Sequence, residues 1–187
     1  MERSRPNGAL FWGVIAAVVI SDAITKWIAY NELSTGVMYP IEVIGEYVRF
    51  WLVYNRGAAF GIHVGEYSRW VFLALTIAAL VILGRLHRQT RAGDKLRTLS
   101  LALVCGGAIG NLIDRVRWER GVVDFIDVGI GGMRWPTFNI ADMAVSTGAF
   151  MLAWVLWGED RAAAAAAASA PAGVPEPALS SDPRDTR

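Results

Sequence analysis

The distribution of apolar and polar positions along the chain predicts four membrane-spanning helices. Four segments of helical length are almost free of charge, at about residues 9–30, 68–86, 98–114 and 137–157. With a rise of about 1.5 Å per residue, each can cross most or all of a hydrocarbon core about 30 Å thick. The first follows a basic N-terminus, as in a signal peptide, but it continues past Asp22 without a clear cleavage site, so we interpret it as a retained span.

The connections between the spans have a different pattern. Residues 37–53 are rich in Val, Ile, Tyr and Phe and are interrupted by Pro40 and Gly45, which predicts short strands, and residues 122–128 predict another. The expected fold class is a membrane all-α protein, with four transmembrane helices and a small extracytoplasmic β-sheet between helices 1 and 2. In span three, Gly106, Gly107 and Gly110 form a small-residue face that favours close helix packing.

Basic residues predict the orientation of the spans. Five lie between Arg85 and Arg97, and Arg3 and Arg5 precede span one, which is typical of cytoplasmic segments. Four arginines on the opposite side, between Arg115 and Arg134, weaken this bias without reversing it. We therefore expect both termini and the second connection to lie in the cytoplasm.

The C-terminal segment differs in composition from the rest of the chain. We expect residues 1–158 to form the membrane domain and residues 159–187, rich in Ala and Pro, to form a cytoplasmic tail. The tail lacks apolar residues that could build a core, so it is predicted to be partly helical at most and otherwise disordered.

Composition agrees with a membrane protein and excludes several classes of function. The chain has 187 residues, 54% hydrophobic and 19% charged, with a mean hydropathy of +0.36. Its net charge of +1 gives no electrostatic reason to expect a nucleic-acid partner. The single cysteine, Cys105, excludes an intrachain disulfide and a thiolate metal cluster, and we interpret it as a small buried hydrophobe.

Several polar residues are predicted to lie at one depth, near the outer ends of the spans. Spans one and three run outward and span four runs inward, so their ends bring together Asp22, Asn111, Asp114, Asn139 and Asp142. The loop residue Asp124 can fold onto them. A charged side chain inside a span is unfavourable by roughly 2.5 to 3.5 kcal/mol on insertion scales, which suggests that these carboxylates have a function.

Two pairs of residues allow more than one interpretation. Asp22 and Lys26 lie four residues apart on one helix face. They could form an ion pair near the membrane surface, with the Lys26 side chain extended towards water, or they could belong to a site. Asp114 and Arg115 either cap and anchor the end of span three or belong to the same site. Spacing alone leaves both questions open.

Two carboxylates at close range favour a specific chemistry. They share one proton, so one acts as an acid and the other as a base, as in aspartic peptidases. A serine mechanism is not supported, because Ser146 has no histidine near it, and a metal hydrolase is disfavoured because no His/Glu ligand set lies at this depth.

The chain resembles the lipoprotein signal peptidases (signal peptidase II), membrane aspartic peptidases of bacteria. The matching motifs occur in the family's order: Asp22-Ala-Ile-Thr-Lys26, Asn55-Arg-Gly57-Ala-Ala-Phe-Gly61, Gly106-Gly-Ala-Ile-Gly-Asn111-Leu-Ile-Asp114-Arg115, Val122-Val-Asp124-Phe-Ile-Asp127 and Phe138-Asn139-Ile-Ala-Asp142. The resemblance implies that Asp124 and Asp142 are the catalytic pair. It implies substrate-binding or supporting roles for Asp22, Lys26, Asn55, Gly57, Asn111, Asp114, Arg115 and Asn139.

The resemblance also implies the substrate and the location. The substrate would be a prolipoprotein that is already diacylglyceryl-modified on cysteine, and cleavage would occur just before that cysteine. The enzyme would be a monomer in contact with membrane lipid. The location would be the bacterial cytoplasmic (inner) membrane, with the active site near the outer face. No cofactor and no metal are expected. The family often has Ser after the aspartate of span four, where this chain has Met143.

Residues 31–68 are expected to form a lip over the carboxylates, with a small sheet that pairs backbone groups at the interface and with Asn55–Gly61 next to the substrate. The alternative function is a small ion-coupled membrane transporter that uses Asp22, Asp114 and Asp142, although its polar groups should then be spread across the bilayer. A structural membrane subunit would need no matched carboxylates.

Overall fold

Four long apolar helices dominate the computed structural model, which describes residues 7–34, 39–57 and 65–169. Within these residues the candidate membrane spans are α1 (Gly8–Leu33), α2 (Ser68–Gln89), α3 (Lys95–Arg117) and α4 (Ile140–Ser169). A short 3-10 turn, Gly65–Tyr67, precedes α2. The prediction of four spans is confirmed.

The connections between α1 and α2 and between α3 and α4 together form a four-stranded antiparallel sheet. Its strands are β1 (Ile41–Ile44), β2 (Val48–Asn55), β3 (Val122–Ile130) and β4 (Met133–Arg134), in the order β1-β2-β3-β4. The predicted sheet between helices 1 and 2 is confirmed, and the connection between α3 and α4 extends it by two strands. Residues 37 and 38 of the predicted strand region lie outside the described residues.

The pairing of β2 with β3 positions two of the predicted site residues, Asn55 and Asp124. Asn55 pairs with Val122, and Val53 pairs with Asp124. The chain enters β3 through Gly121, whose φ of +105° suits glycine and where a Cβ would collide with the backbone oxygen of Asn55. The end of β2 and the start of β3 therefore approach each other closely.

Glycines allow α3 to pack closely against α1 and α4. A Cβ on Gly106 would lie 2.9 Å from Cβ of Val18, and one on Gly110 would lie 2.6 Å from Oδ2 of Asp22. A Cβ on Gly107 would collide with the backbone oxygen of Ala141. The predicted small-residue packing face is confirmed.

The apolar core has a part among the helices and a part beneath the sheet. The first part is formed by α1 and α3 and includes Phe11, Ile15, Leu101, Ala102 and Cys105. Cys105 is 3% exposed and packs as the predicted small hydrophobe. The second part joins Ala29 and Leu33 of α1 to Phe125 of β3, which fixes the sheet on the end of α1.

The chain divides into two compact units, Met1–Val155 and Leu156–Arg187. The second unit is helical as far as Ser169, because a run of alanines has the highest helix propensity. Within it the Arg161 guanidinium lies 5.3 Å from the centroid of the Trp157 ring. The rest of the predicted tail, residues 170–187, lies outside the described residues.

Candidate active site

A buried lysine lies among polar groups of α1 and α3. The Lys26 ammonium donates to Asp22 Oδ2 at 2.7 Å and to Asn111 Oδ1 at 3.1 Å, and Asp114 Oδ2 lies 2.8 Å from it. An ammonium group has three N–H donors, so these three acceptors satisfy it. Lys26 is only 5% exposed, so it forms a buried cluster and does not snorkel to the surface.

The two aspartates of this cluster also hold other elements in place. Asp22 Oδ1 accepts a hydrogen bond of 2.9 Å from the backbone N–H of Ala141, in the first turn of α4. Asp114 Oδ2 accepts one of 3.1 Å from the backbone N–H of Val123, at the start of β3. The cluster therefore connects α1, α3, β3 and α4. It contains both members of the Asp22–Lys26 pair, and Asp114 of the Asp114–Arg115 pair.

A capping box begins α4. Asn139 Oδ1 accepts a hydrogen bond of 2.9 Å from the backbone N–H of Asp142, and Asp142 Oδ2 accepts one of 3.2 Å from the backbone N–H of Asn139. These reciprocal bonds satisfy two N–H groups that a helix start leaves unpaired. They explain why α4 begins at Ile140, whereas the sequence predicted a start near Thr137. They also fix Asp142 in the first turn.

Two asparagine amides hold the two central carboxylates. Asn139 Nδ2 donates to Asp124 Oδ1 at 2.7 Å, and Asn111 Nδ2 donates to Asp142 Oδ1 at 2.8 Å. Asn139 Nδ2 also lies 3.1 Å from Asn111 Oδ1, so the two amides are linked. Asp124 and Asp142 are thus attached to one hydrogen-bonded network.

Both carboxylates line a cavity of about 1100 Å³. Its polar wall includes Asn55, Gly57, Asn111 and Arg115, and its apolar wall includes Val53, Trp135, Phe138, Met143 and Val145. Met143 is half exposed and lies on this wall. A cavity of this size, mostly apolar with a few convergent polar groups, is suited to a bound ligand.

The environment of Asp124 favours its protonated form. Burial of the carboxyl group, and then repulsion from Asp142, raise the pKa of Asp124 to about 7, while hydrogen bonds from Asn55 and Asn139 partly oppose this. Asp124 is 2% exposed. A carboxyl group that changes protonation near neutral pH is suited to proton transfer.

The end of β2 contacts α3 beside the carboxylates. Asn55 Oδ1 accepts a hydrogen bond of 3.0 Å from the backbone N–H of Gly57, and Arg115 Nη2 donates to the Gly57 carbonyl at 3.3 Å. Asn55 and Gly57 line the cavity, where the lip was predicted. Residues 58–61 of the predicted lip lie outside the described residues.

The sequence interpretation missed the role of Asp127. Arg49 Nη2 lies 2.6 Å from Asp127 Oδ2, and Arg134 Nε donates to Asp127 Oδ1 at 2.9 Å. Burial acts to raise the pKa of Asp127, but the hydrogen bonds from Arg134 and Arg49 outweigh it and lower that pKa. The sequence motif Val122–Asp127 contains Asp127. Its partners could not be predicted, because Arg49 and Arg134 reach it through the register of β2, β3 and β4, which the sequence does not specify.

All ten predicted site residues lie at the end of the helices that carries the sheet. Seven belong to the hydrogen-bonded network around Lys26 and the two carboxylates, namely Asp22, Lys26, Asn111, Asp114, Asp124, Asn139 and Asp142. Asn55, Gly57 and Arg115 lie beside it on the cavity wall. The buried carboxylates and the lysine of this network are concentrated at one end of the spans, whereas an ion path would need such groups across the whole depth.

Comparison with known proteins agrees with this arrangement. The family described as "Signal peptidase (SPase) II" matches residues 14–158. The chain is 38% identical over 150 residues to a protein named lipoprotein signal peptidase from Burkholderia mallei (strain SAVP1), covering 78% of this chain and 87% of the relative. It is 40% identical over 156 residues to one of the same name from Paraburkholderia phytofirmans, covering 81% and 87%.

Solved structures show the same fold. One, titled a bacterial membrane enzyme structure at 2.3 Å resolution, has a TM-score of 0.75 and 28% identity, covering 93% of this chain and 99% of that one. A second, at 1.9 Å resolution, has a TM-score of 0.69 and 30% identity, covering 83% and 97%. These comparisons give the transporter interpretation no support, and they place the chain in the bacterial inner membrane as a multi-pass peptidase. The chain belongs to the signal peptidase (SPase) II family.

Proposed function

We propose that this chain is an aspartic endopeptidase that removes the signal peptide of diacylglyceryl-modified prolipoproteins by cutting before the lipidated cysteine. Asp124 and Asp142 are its catalytic pair. The observation that carries this proposal is the presence of both carboxylates on one cavity wall, each fixed by an asparagine amide. The name of the relatives, lipoprotein signal peptidase, supports the substrate class.

The proposed reaction uses one ionised and one protonated carboxyl group. The ionised group takes a proton from water, whose oxygen attacks the scissile carbonyl carbon, while the protonated group gives its proton to the carbonyl oxygen. The neutral gem-diol then collapses as the first group passes its proton to the leaving nitrogen and the second recovers one from a hydroxyl. The C–N bond breaks, and the pair regains its starting protonation.

The state of Asp124 supports this mechanism. Because burial and the neighbouring Asp142 raise the pKa of Asp124 to about 7, the pair can hold one proton at the pH of most bacterial surroundings. No covalent intermediate is required, which agrees with the absence of a histidine beside Ser146 among the residues that the structure describes.

The surrounding residues support the pair in different ways. Asn111 and Asn139 fix the carboxylates, and Asp22, Lys26 and Asp114 hold the elements that carry those amides. Arg115 and Asn55 border the cavity with N–H donors that can bind a substrate backbone, and Gly57 leaves room for the chain. We propose that the protein works as a monomer in contact with membrane lipid.

The proposal is tested with purified protein and a diacylglyceryl-modified prolipopeptide. We expect Asp124→Asn and Asp142→Asn each to lower kcat by a factor of about 10² or more, because Asn keeps the shape but transfers no proton. Asp94→Asn is the matched control. Asp94 caps α3 at the other end of the helices by accepting from the Arg97 N–H, and Asn caps equally well.

Three outcomes are informative. Cleavage of the lipidated peptide by Asp94→Asn, with loss of cleavage in both other variants, supports the proposal. Normal turnover by either Asp124→Asn or Asp142→Asn removes that residue from the chemistry. Equal cleavage of the same peptide without its lipid contradicts the proposed substrate class.

A further inference from the structure

The amide network around the carboxylates has a fixed direction. An ammonium group can only donate hydrogen bonds, so the atom of Asn111 that lies 3.1 Å from Lys26 Nζ must be the amide oxygen. The other end of the amide, Nδ2, then points at Asp142 Oδ1, at 2.8 Å. Lys26 is buried and also held by Asp22 and Asp114, so it cannot turn away from this oxygen.

We infer that Lys26 is a positioning residue that orients the Asn111 amide, so that Asp142 is the ionised base that activates water and Asp124 is the carboxylic acid that protonates the scissile carbonyl. This inference rests on the proposed function and assigns the two roles within it. Lys26 acts through Asn111 and does not contact the substrate.

The contacts of Asp142 suit an ionised carboxylate. Each of its oxygens accepts a hydrogen bond, Oδ1 from Asn111 Nδ2 at 2.8 Å and Oδ2 from the Asn139 backbone N–H at 3.2 Å. Asp142 also lies in the first turn of α4, where the helix dipole favours negative charge. Donors on both oxygens stabilise the charged form.

The contacts of Asp124 are compatible with the acid. It is 2% exposed and lies on β3, outside any helix, and its oxygen Oδ1 accepts from Asn139 Nδ2 at 2.7 Å. That Nδ2 group is shared, because it also lies within 3.2 Å of the Val123 carbonyl. Burial and the neighbouring Asp142 raise the pKa of Asp124 to about 7, which keeps it protonated beside an ionised partner.

Other charged groups lie around the two carboxylates. From α1 these are Asp22 and Lys26, and from α3 they are Asp114 and Arg115. Arg56, beyond the end of β2, lines the same cavity. Lys26 and Arg115 attract, and Asp22 and Asp114 repel, so charge alone does not distinguish the two carboxylates. They are distinguished by position, because Asp142 is only partly buried and lies in the first turn of α4, whereas Asp124 is 2% exposed and lies on a strand.

The test is the pH profile of kcat/KM for the lipidated prolipopeptide. Its acid limb reports ionisation of the base, and its basic limb reports loss of the proton from the acid. Asn111→Ala and Lys26→Met remove or release the donor to Asp142, so we expect the acid limb to move to higher pH by about one unit. In Asn111→Ala the basic limb should stay in place, whereas in Lys26→Met it should also move to higher pH, because the Lys26 charge lowers the pKa of Asp124.

Asn55→Ala is the opposite control, because the Asn55 side chain hydrogen-bonds to Asp124. Its Oδ1 accepts from Gly57, so its Nδ2 is the donor to Asp124. Loss of that donor should move the basic limb to higher pH and leave the acid limb unchanged. Lys26→Gln provides a rescue, because its amide can still donate to Asn111 Oδ1, and its acid limb should move less than that of Lys26→Met.

Crossed effects would overturn the assignment. If Asn111→Ala moves the basic limb and Asn55→Ala the acid limb, Asp124 is the base. If neither limb moves in Asn111→Ala and Lys26→Met, the amide orientation does not matter and the inference fails. Should Lys26→Met not fold, Asn111→Ala and Asn55→Ala still decide between the assignments. Failure of the proposed function itself appears separately, as activity in Asp124→Asn or Asp142→Asn.

Discussion

At the scale of single residues, the site consists of buried polar groups that satisfy one another. Lys26 has three acceptors, Asp22 and Asp114 each accept from a second donor, and Asn111 and Asn139 join this cluster to the cavity. Removing one member would leave another buried and unpaired, which costs about 1–3 kcal/mol and more for a charged group. Asp124 is the exception, because its surroundings favour its neutral form.

This exception predicts how stability depends on pH. The folded-state pKa of Asp124 is about 7, above its ordinary value of 3.8, so the folded protein binds more protons than the unfolded chain between these values. The stabilising contribution is therefore complete below pH about 4 and is lost as pH rises through about 7. We expect Asp124→Asn to remove part of the fall in melting temperature between pH 5 and pH 8.

The measurement is thermal unfolding in detergent at several pH values, with Asp94→Asn as the control. At pH 8 Asp124→Asn should be the more stable protein, with about 2 to 4 °C gained per kcal/mol for a chain of this size. Parallel pH dependences of melting temperature for wild type and Asp124→Asn would show that Asp124 does not change its protonation between pH 5 and pH 8.

Single residues were partly predictable from sequence. The carboxylates and amides are unusual in apolar spans, so Asp22, Asn111, Asp114 and Asp142 could be found by their position. Their hydrogen-bond partners could not be predicted from sequence position. The Ala141 N–H on Asp22 and the two arginines on Asp127 depend on how helices and strands meet.

At the scale of elements, close helix packing determines where the polar groups meet. The glycines of α3 allow Asp22 of α1 and the start of α4 to approach the α3 backbone. Hydropathy was sufficient to predict the four helices, and β-branched and aromatic residues were sufficient to predict strands. The order and register of the sheet were not predictable, because β2 and β3 are far apart in sequence and are brought together only by the packing of α1 and α3.

A matched pair of Gly→Ala variants tests this packing. A Cβ at Gly107 collides with the Ala141 carbonyl oxygen, so Gly107→Ala must separate α3 from α4. We expect it to destabilise the protein by about 1–3 kcal/mol and to lower cleavage, because Asp142 would move relative to Asn111. Gly13→Ala, in α1, meets nothing within 4 Å and should be neutral or up to about 1 kcal/mol more stable.

Thermal unfolding and cleavage of the lipidated peptide should be measured on both variants. If close packing of α3 and α4 matters, the effects of the two substitutions on stability and cleavage must differ in sign or size. Equal stability and equal cleavage for Gly107→Ala and Gly13→Ala would show that α3 and α4 can separate without affecting the site.

At the scale of the whole molecule, the sheet and the site lie at one end of the spans and the basic connection lies at the other. Phe11, near the start of α1, stacks on His87, near the end of α2, at a centroid distance of 3.7 Å. The arginines that weakened the charge bias have partners on the side of the site. Arg134 binds Asp127, Arg115 binds Gly57, and Arg120 lies 5.5 Å from the Tyr54 ring centroid.

The orientation in the membrane is therefore a testable prediction. A reporter inserted at the turn near Gly131, between β3 and β4, should be found outside the cytoplasmic membrane, and one fused after Gly158 should be found in the cytoplasm. Gly131 has a φ of +54° and open space around it, so the insertion should disturb little. The opposite pattern would place the carboxylates on the cytoplasmic side and contradict the predicted depth of the site.

We propose that residues 1–158 form the membrane domain and residues 159–187 form a tail. Every residue named in the site lies between Asp22 and Asp142, within the first compact unit, Met1–Val155. Truncation after Asp160 should therefore leave kcat/KM within about twofold of the full chain, since it removes no apolar contact of the site. It does remove Arg161 from the Trp157 ring, an exposed contact worth about 0.5–1 kcal/mol.

The comparison chain is a truncation after Leu152, which shortens the apolar part of α4 and should impair membrane insertion. Membrane fractionation separates loss of insertion from loss of activity in the two chains. Because the alanines after Arg161 are helical by propensity and bury no side chain, the helix can end earlier without exposing a core. A chain ending at Asp160 that inserts normally but cleaves no lipidated peptide would show that the tail takes part in the reaction.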